Sequence, residues 1–282
     1  MTTTVTRRAD TAPAWREVAP SAAELSPRRH ARRRRLIERT LAVAVPVALI
    51  AVWQVLADAG VIHGNYFPAP VAIFDAWIDI IRNGIFVDAV AASLRRIALG
   101  YLLGCVSALV LGLLIGSLRI VRVALEPTIS ALYTVPKLSI LPLLLLVFGL
   151  GELSKVLLVA LTCFFVVLIN TIDAVGGVPA RYTDVGRSCR APYWAMLWHI
   201  TLPAALPQML TGLRIASGLA VIVIVGAEFV AANTGLGFLT WNSWNLGVPE
   251  YMYVGIAAIS IIGVLANLLL RGVEWLLTPW KR

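Results

Sequence analysis

Few residues in this chain of 282 have the types and the spacing that catalysis requires. The three histidines, His30, His63 and His199, are far apart, and none has a carboxylate or a cysteine at the spacing of metal ligands. The three cysteines show no C-x-x-C spacing, and the chain has no G-x-x-x-x-G-K-[ST] loop to hold phosphates. We therefore expect no catalytic residue, no metal, no cofactor and no ATP hydrolysis by this chain alone.

One carboxylate stands out because of its surroundings. Glu228 follows the apolar run 219–227, and a carboxylate at membrane depth is costly and therefore a functional candidate. Two interpretations are open: the carboxylate binds a coupling ion, or it forms a structural ion pair or a helix cap. Arg95 and Arg96 are expected at a similar level and could supply the partner.

The composition predicts that the elements around these residues lie in a membrane. Hydrophobic residues make up 59% of the chain and charged residues 14%, against about 45–50% and about 25% in soluble domains. A helix needs roughly 20 apolar residues to cross a bilayer, and six runs approach that length: 41–57, 97–117, 128–149, 154–172, 209–230 and 252–270. The sequence predicts an all-α membrane protein whose domain 41–282 contains six transmembrane helices.

The distribution of arginine predicts the orientation of these helices. Residues 1–40 contain ten of the 24 basic residues, and the loops on their side of the membrane carry more basic residues than the opposite loops. The positive-inside rule then places both termini in the cytoplasm. Charge concentrated in one tail is also unlike a nucleic-acid-binding surface.

The tail itself has little to bury, so residues 1–35 are expected to be disordered within a cytoplasmic Arg-rich segment 1–40. We interpret the run 41–57 as an uncleaved first span, because a secretory signal would place its apolar core closer to Met1. A cleaved signal that ends near Ala57-Asp58-Ala59 is the alternative.

Four residues are candidates for a pathway or a gate besides Glu228. Pro136 and Pro142 interrupt the third run, so its helix should be kinked or broken near the middle of the membrane. Gly235 and Gly237 begin an outer segment rich in tryptophan, which could form part of a gate or an aromatic belt at the membrane surface.

Two further patterns predict packing. Small residues recur one turn apart in the second run, as Gly100-x-x-x-Gly104 and Gly112-x-x-x-Gly116, which allows helix backbones to approach closely in lipid. Residues 71–86 have apolar residues at helical spacing with charged residues opposite them. They predict an amphipathic helix that lies in the outer interface or packs on the spans.

The longest cytoplasmic connection, residues 173–208, does not have the composition of a flexible linker. Thr183-Asp184 is a helix-start signal for a first short helix, and Pro192 is expected to begin a second one that ends near Leu202. The second helix displays apolar and aromatic side chains that need a surface to cover them: Tyr193, Trp194, Leu197, Trp198 and Ile200. That surface is either lipid headgroups or the groove of a partner protein.

This connection resembles a known family. Residues 184–191 (DVGRSCRA), 200–207 (ITLPAALP) and 212–214 (GLR) resemble the EAA loop of binding-protein-dependent ABC transporter permeases, most closely the sulfonate, taurine and nitrate subfamily. Asp184-Val185-Gly186 stands where Glu-Ala-Ala is usual, and Arg190 stands where glycine is usual. Further motifs match over nearly the whole chain after the tail, among them Pro68-Ala69-Pro70, Ser93-Leu94-x-Arg96, Phe148-Gly149-x-Gly151 and Ala227-Glu228.

The resemblance implies a type I ABC importer permease fold and a permease subunit for a small organic or oxo anion in the cell inner membrane. The implied partners are a second permease copy in a homodimer, two cytoplasmic ATPase subunits and an extracytoplasmic solute-binding protein, besides membrane lipid. The loop 184–203, with its coupling helix from Pro192 to Leu202, would contact the ATPase through Asp184, Arg187, Arg190, Ala191, Tyr193, Trp194, Leu197, Trp198 and Pro203.

Two other functions are compatible with parts of the pattern. An ion-coupled secondary transporter would use Glu228, although such carriers typically show intramembrane charges at matching positions of two repeats, and no matching pair is evident. A membrane anchor that only recruits a partner would use the loop 184–203. Because a nucleotide-driven importer needs no proton-binding carboxylate, the resemblance favours the structural ion pair for Glu228.

Overall fold

The computed structural model describes residues 27–281, and every regular element in that range is a helix. The chain divides into a first unit that ends at Leu56 and a second that begins at Ala57. Residues 27–56 of helix α1 (Pro27–Asp58) form the described part of the first unit, and the stretch Thr40–Asp58 is long and apolar enough to cross a membrane. Within the Arg-rich tail, residues 27–40 are helical, and residues 1–26 lie outside the described residues.

The second unit contains ten more α-helices within the described range. They are α2 (Pro70–Arg82), α3 (Ile85–Ser117), α4 (Arg119–Thr134), α5 (Leu141–Phe148), α6 (Glu152–Gly176), α7 (Ala180–Ser188), α8 (Tyr193–Met196), α9 (Leu202–Ala231), α10 (Leu236–Asn245) and α11 (Pro249–Leu277). Five continuous helical stretches can span a membrane by length and apolarity, and the bent pair α4–α5 makes six when it counts as one span. The all-α class and the six predicted spans are confirmed.

The third span is broken, as the prolines predict. Helix α4 and the stretch Lys137–Phe148 meet at an angle of 82°. Pro136 has an extended backbone at the break and is followed by a single 3₁₀ turn, Lys137–Ile140. Pro142 lies in the first turn of α5, where a backbone N–H is not needed, so it does not interrupt that helix. The break therefore depends on Pro136.

The centre of the second unit is the contact between α3 and α6. A Cβ atom added at Gly100 would lie 2.6 Å from the Cβ of Val159, and one at Gly104 would collide with the backbone of Ala160. Because glycine has no side chain, the two backbones approach closely and bury an apolar layer that includes Cys163. The predicted close packing is confirmed, and its partner is a helix of the same chain.

Helix α2 packs on the spans by its apolar side. Ala76 and Ile80 are buried against Val254 of α11. The helix ends at Arg82 rather than near residue 86, because Gly84 has a left-handed backbone (φ 75°) that starts a new helix at Ile85. Packing on the spans, one of the two arrangements that the pattern allowed, is therefore observed for this side of the helix.

The helices of the cytoplasmic loop differ from those expected. Helix α7 begins at Ala180, directly after Pro179, so the start expected at Thr183-Asp184 is wrong. The second helix does not end near Leu202, because α8 continues through five π-helical residues, 197–201, into α9. Pro203 is tolerated because it lies in the first turn of α9, where the helix type changes.

Candidate functional site

The first candidate site is the surface formed by α7, α8 and the π-helical residues, which we call the loop surface (residues 180–201). Helix α7 ends in a Schellman motif: the amide of Arg190 donates to the carbonyl of Arg187 (2.9 Å), and the amide of Ala191 donates to the carbonyl of Gly186 (3.0 Å). Arg190 takes the left-handed position with φ 53°, where glycine is the usual residue. The turn geometry is thus retained without its usual residue.

The two halves of the loop surface pack against each other at Gly186. It is buried, and a Cβ atom at this position would lie 2.6 Å from Cδ1 of Ile200 and 3.0 Å from Cγ of Met196. Glycine allows α7 to lie directly against the helix that follows it. Packing against these side chains therefore explains why glycine stands at this position instead of the usual alanine.

The outer side of the loop surface is apolar and aromatic. Trp194 is 67% exposed, Trp198 is 60% exposed, and Val185 is 63% exposed. Tyr193 packs edge-on against Trp194, with ring centroids 5.7 Å apart. Surfaces with such large exposed aromatic side chains mark sites for a protein partner or a membrane.

The remaining predicted loop residues have modest roles in the chain itself. Asp184 and Arg187 form an exposed pair (3.4 Å) within α7, so Asp184 lies inside the helix rather than at its start. Exposed pairs of this kind contribute at most about 1 kcal/mol. Ala191, Leu197 and Pro203 are partly buried.

A groove lies beside the loop surface. It has a volume of about 480 Å³ and is lined by residues of α7, of the π-helical stretch and of the chain end, including Tyr182, Ile200 and Trp280. The groove is mainly apolar in its side chains. It extends the aromatic surface toward the C-terminus.

The second candidate site is a buried ion-pair network in the second unit. It lies where the N-terminal half of α3, the start of α6 at Glu152 and the segment that contains Thr234 meet. The Arg96 side chain is 2% exposed and donates from Nε and Nη2 to both carboxylate oxygens of Glu152, at 2.6 and 2.7 Å. Its Nη1 donates to Oε1 of Glu228 at 2.7 Å and to the carbonyl of Thr234 at 2.6 Å. One guanidinium thereby joins α3, α6, α9 and the segment after α9.

The carboxylate of Glu228 is fully buried and accepts hydrogen bonds on both oxygens. Ser93 donates to them at 2.8 and 2.9 Å, and the amide of Gly237 donates to Oε2 at 2.8 Å. Gly235 has φ 125°, and a Cβ atom there would lie 2.6 Å from Oε2 of Glu228. Glycine at 235 and 237 is therefore what allows this carboxylate to approach the backbone.

The structure thus brings three of the pathway or gate candidates, Glu228, Gly235 and Gly237, into one network. The hydrogen bonds of that network, within residues 27–281, do not include Pro136 or Pro142, which lie at the break of the third span. The ion pair with Arg96 is the arrangement observed for Glu228, and both of its oxygens are occupied. A carboxylate held in this way is suited to fix helices rather than to exchange protons.

The sequence interpretation assigned no role to two polar residues, one in the network and one at the break of the third span. Glu152, the first residue of α6, completes the pairing of Arg96, and Lys137 lies at the break of the third span. A lone lysine next to a proline in an apolar run was the available signal for Lys137. Glu152 lay at a predicted helix end, and only the fold places it beside Arg96.

Comparison with known proteins decides the family. Residues 100–282 match the family described as "Binding-protein-dependent transport system inner membrane component". The chain belongs to this family. The permease is 34% identical over 237 residues to SsuC of Bacillus subtilis, named as an aliphatic sulfonates transport permease protein, with 84% of this chain and 86% of that protein covered.

Two other relatives align with similar shares of this chain. The taurine transport system permease protein TauC of Escherichia coli is 35% identical, with 86% of this chain and 90% of TauC covered. The nitrate import permease protein NrtB of Synechocystis is 31% identical, with 84% and 88% covered. The permease also shares its fold with a chain of the MetNI methionine ABC transporter in an inward facing conformation (TM-score 0.61, 17% identity, 69% of this chain and 96% of that chain covered).

Proposed function

We propose that this permease is the membrane subunit of an ATP-driven importer that carries a small organic or oxo anion. Sulfonates, taurine and nitrate are the candidate solutes, because the relatives are named as permeases for these solutes, each of which carries a sulfonate group or is an oxo anion. The family match over residues 100–282 carries the proposal. The chain has no phosphate-binding loop of its own, so ATP would be hydrolysed by a separate subunit.

The loop surface is the proposed contact with that ATPase. Its exposed Trp194 and Trp198 are suited to fill apolar pockets, and aromatic residues dominate the affinity of many protein interfaces. Asp184, Arg187 and Arg190 are exposed around them and can supply charge contacts. Because α8 continues into α9 as one helix, movement of the loop surface would be transmitted directly to a membrane span.

The proposed assembly contains two copies of this permease, two cytoplasmic ATPase subunits and an extracytoplasmic solute-binding protein in the inner membrane. The distribution of basic residues supports a cytoplasmic location for both termini. ATP binding would bring the ATPases together and shift the spans from an inward-open to an outward-open arrangement. The network around Arg96 would then lie toward the outer side.

The coupling proposal is tested by replacing Trp194 with aspartate. The complex of permease, ATPase and binding protein is reconstituted in proteoliposomes, and uptake of taurine and of nitrate is measured together with ATP hydrolysis. We expect Trp194→Asp to lower uptake by roughly tenfold or more, because a charge would be buried in an apolar pocket of the ATPase.

Trp194→Phe is the matched control and should retain most uptake, because it keeps an aromatic contact. Normal uptake by the assembled Trp194→Asp complex would show that this surface contacts lipid or solvent and not the ATPase. A wild-type complex that takes up neither anion would contradict the proposed solute class. The secondary-transporter alternative gains no support, since the carboxylate it needs is buried in an ion pair.

A further inference from the structure

The break in the third span places a cation inside the membrane. Lys137 begins the 3₁₀ turn after Pro136, and its Nζ lies 4.9 Å from the ring centroid of Phe165. Phe165 is thirteen residues after the start of α6 at Glu152 and eleven before its end at Gly176, which is roughly 20 and 17 Å along a helix. The ammonium group therefore lies level with the middle of a membrane-spanning helix.

The surrounding helices hold this turn in place. Leu138 packs against α9, where a Cβ atom at Gly226 would lie 3.1 Å from Cδ2 of Leu138. Leu141, at the end of the turn, is buried with Leu158 and Ala227. The turn is thus fixed between α6 and α9, while Lys137 itself stays partly exposed.

The ammonium group donates to three backbone carbonyls at the end of α4. Its Nζ lies 2.9 Å from the carbonyl of Leu132, 2.8 Å from that of Tyr133 and 2.7 Å from that of Val135. These carbonyls have no partner within the helix because the helix ends there, and the negative end of the helix dipole favours a cation. The backbone geometry accounts for the position of Nζ but leaves its full charge unmatched.

Three other basic side chains of the spans differ in this respect. Arg96, Lys155 and Arg214 each lie within 4 Å of a carboxylate oxygen. Within residues 27–281, no carboxylate oxygen lies within 4 Å of Lys137. An unmatched charge in the membrane interior is costly and marks a pathway for a charged solute.

We propose that Lys137 holds the anionic group of the solute as it passes the break in the third span. This inference rests on the proposed function, and the ligand class is a small monoanion, such as a sulfonate or nitrate. The anion would accept a hydrogen bond from Nζ in place of one of the carbonyls, and it would supply the negative charge that the site lacks. The aromatic ring of Phe165 and the carbonyls keep the ammonium group in position when no solute is bound.

Three variants separate this role from a purely structural one. Lys137→Arg keeps the charge and the hydrogen-bond donors, Lys137→Gln keeps donors without charge, and Lys137→Met keeps neither. Each is assembled with the ATPase and the binding protein in proteoliposomes, and uptake of taurine and of nitrate is measured. Yield and thermal stability of each complex are the controls for folding.

We expect Lys137→Gln and Lys137→Met to lower uptake by roughly 10- to 100-fold, the range for a lost charge-assisted hydrogen bond. Uptake by Lys137→Arg should stay within about threefold of wild type. A threefold change corresponds to less free energy than the 1.4 kcal/mol that a tenfold change represents. Uptake by Lys137→Gln equal to that of Lys137→Arg would assign the residue to capping α4 and overturn the proposal. Loss of assembly in all three variants would do the same. A wild-type complex without uptake of either anion would instead refute the proposed function.

Discussion

Replacing Arg96 by methionine should destabilise the permease strongly. The substitution keeps an unbranched, flexible side chain, which is shorter than arginine, but leaves the fully buried Glu228 carboxylate without its cation. Breaking a buried ion pair from one side costs about 3–5 kcal/mol, because the remaining charge stays in a medium of low dielectric constant. The contact with Glu152, whose side chain is 55% exposed, adds less than about 1 kcal/mol.

Thermal unfolding of the purified permease complex in detergent is the assay. The expected loss corresponds to a fall in the midpoint of roughly 10 °C. Arg95→Met is the matched control, because Arg95 is an exposed neighbour on the same helix and has no salt bridge within residues 27–281. Its effect should stay within about 0.5 kcal/mol.

A double substitution tests the physical reason. Glu228→Met in the Arg96→Met background removes the stranded charge, so the double variant should lose less stability than the sum of the two single variants. The coupling energy should be at least about 1 kcal/mol. Losses that simply add, or an Arg96→Met protein as stable as Arg95→Met, would refute the claim that the pair holds these helices together.

Two further predictions concern glycine and the left-handed position. Gly104→Ala should cost about 1–3 kcal/mol, because its methyl group would meet the backbone of Ala160. Gly218→Ala, with open space around it, should be neutral or stabilising, and equal midpoints for the two alanine variants would contradict the α3–α6 packing. Arg190→Gly should raise the unfolding free energy by roughly 0.5–1 kcal/mol, since φ 53° is strained for arginine, whereas Arg190→Ala should not. Equal stability of these two Arg190 variants would show that the left-handed turn does not persist in solution.

The break in the third span shows how far local sequence reasoning extends. Pro136 lacks a backbone N–H and restricts its neighbours, so a break near it follows from the residue itself. The 82° angle does not, because it depends on the packing of Leu138 against α9 and of Leu141 against α6 and α9. The position of Lys137 beside Phe165 depends on the same packing.

The loop between the fourth and fifth spans shows where local reasoning fails. Thr183-Asp184 is a sound helix-start signal, but Pro179 starts the helix earlier, and packing of Ile200 on Gly186 fixes where the two helices meet. The end expected near Leu202 does not occur, because the π-helical turn continues into α9 and Pro203 lies in the first turn of that helix. Helix bounds here depend on contacts between residues that are far apart in the loop.

The sequence by itself determined the number of spans, the helical class and the family resemblance of the loop. In a bilayer every backbone polar group needs an internal partner, so long apolar runs have to become helices whatever surrounds them. Only the tertiary structure decided which helices pair through glycine and which carboxylates share Arg96. It also left the ammonium group of Lys137 without a carboxylate in the described chain. The α3–α6 contacts and the ion pairs of Arg96 join residues more than fifty positions apart, and no local rule of propensity or hydropathy specifies them.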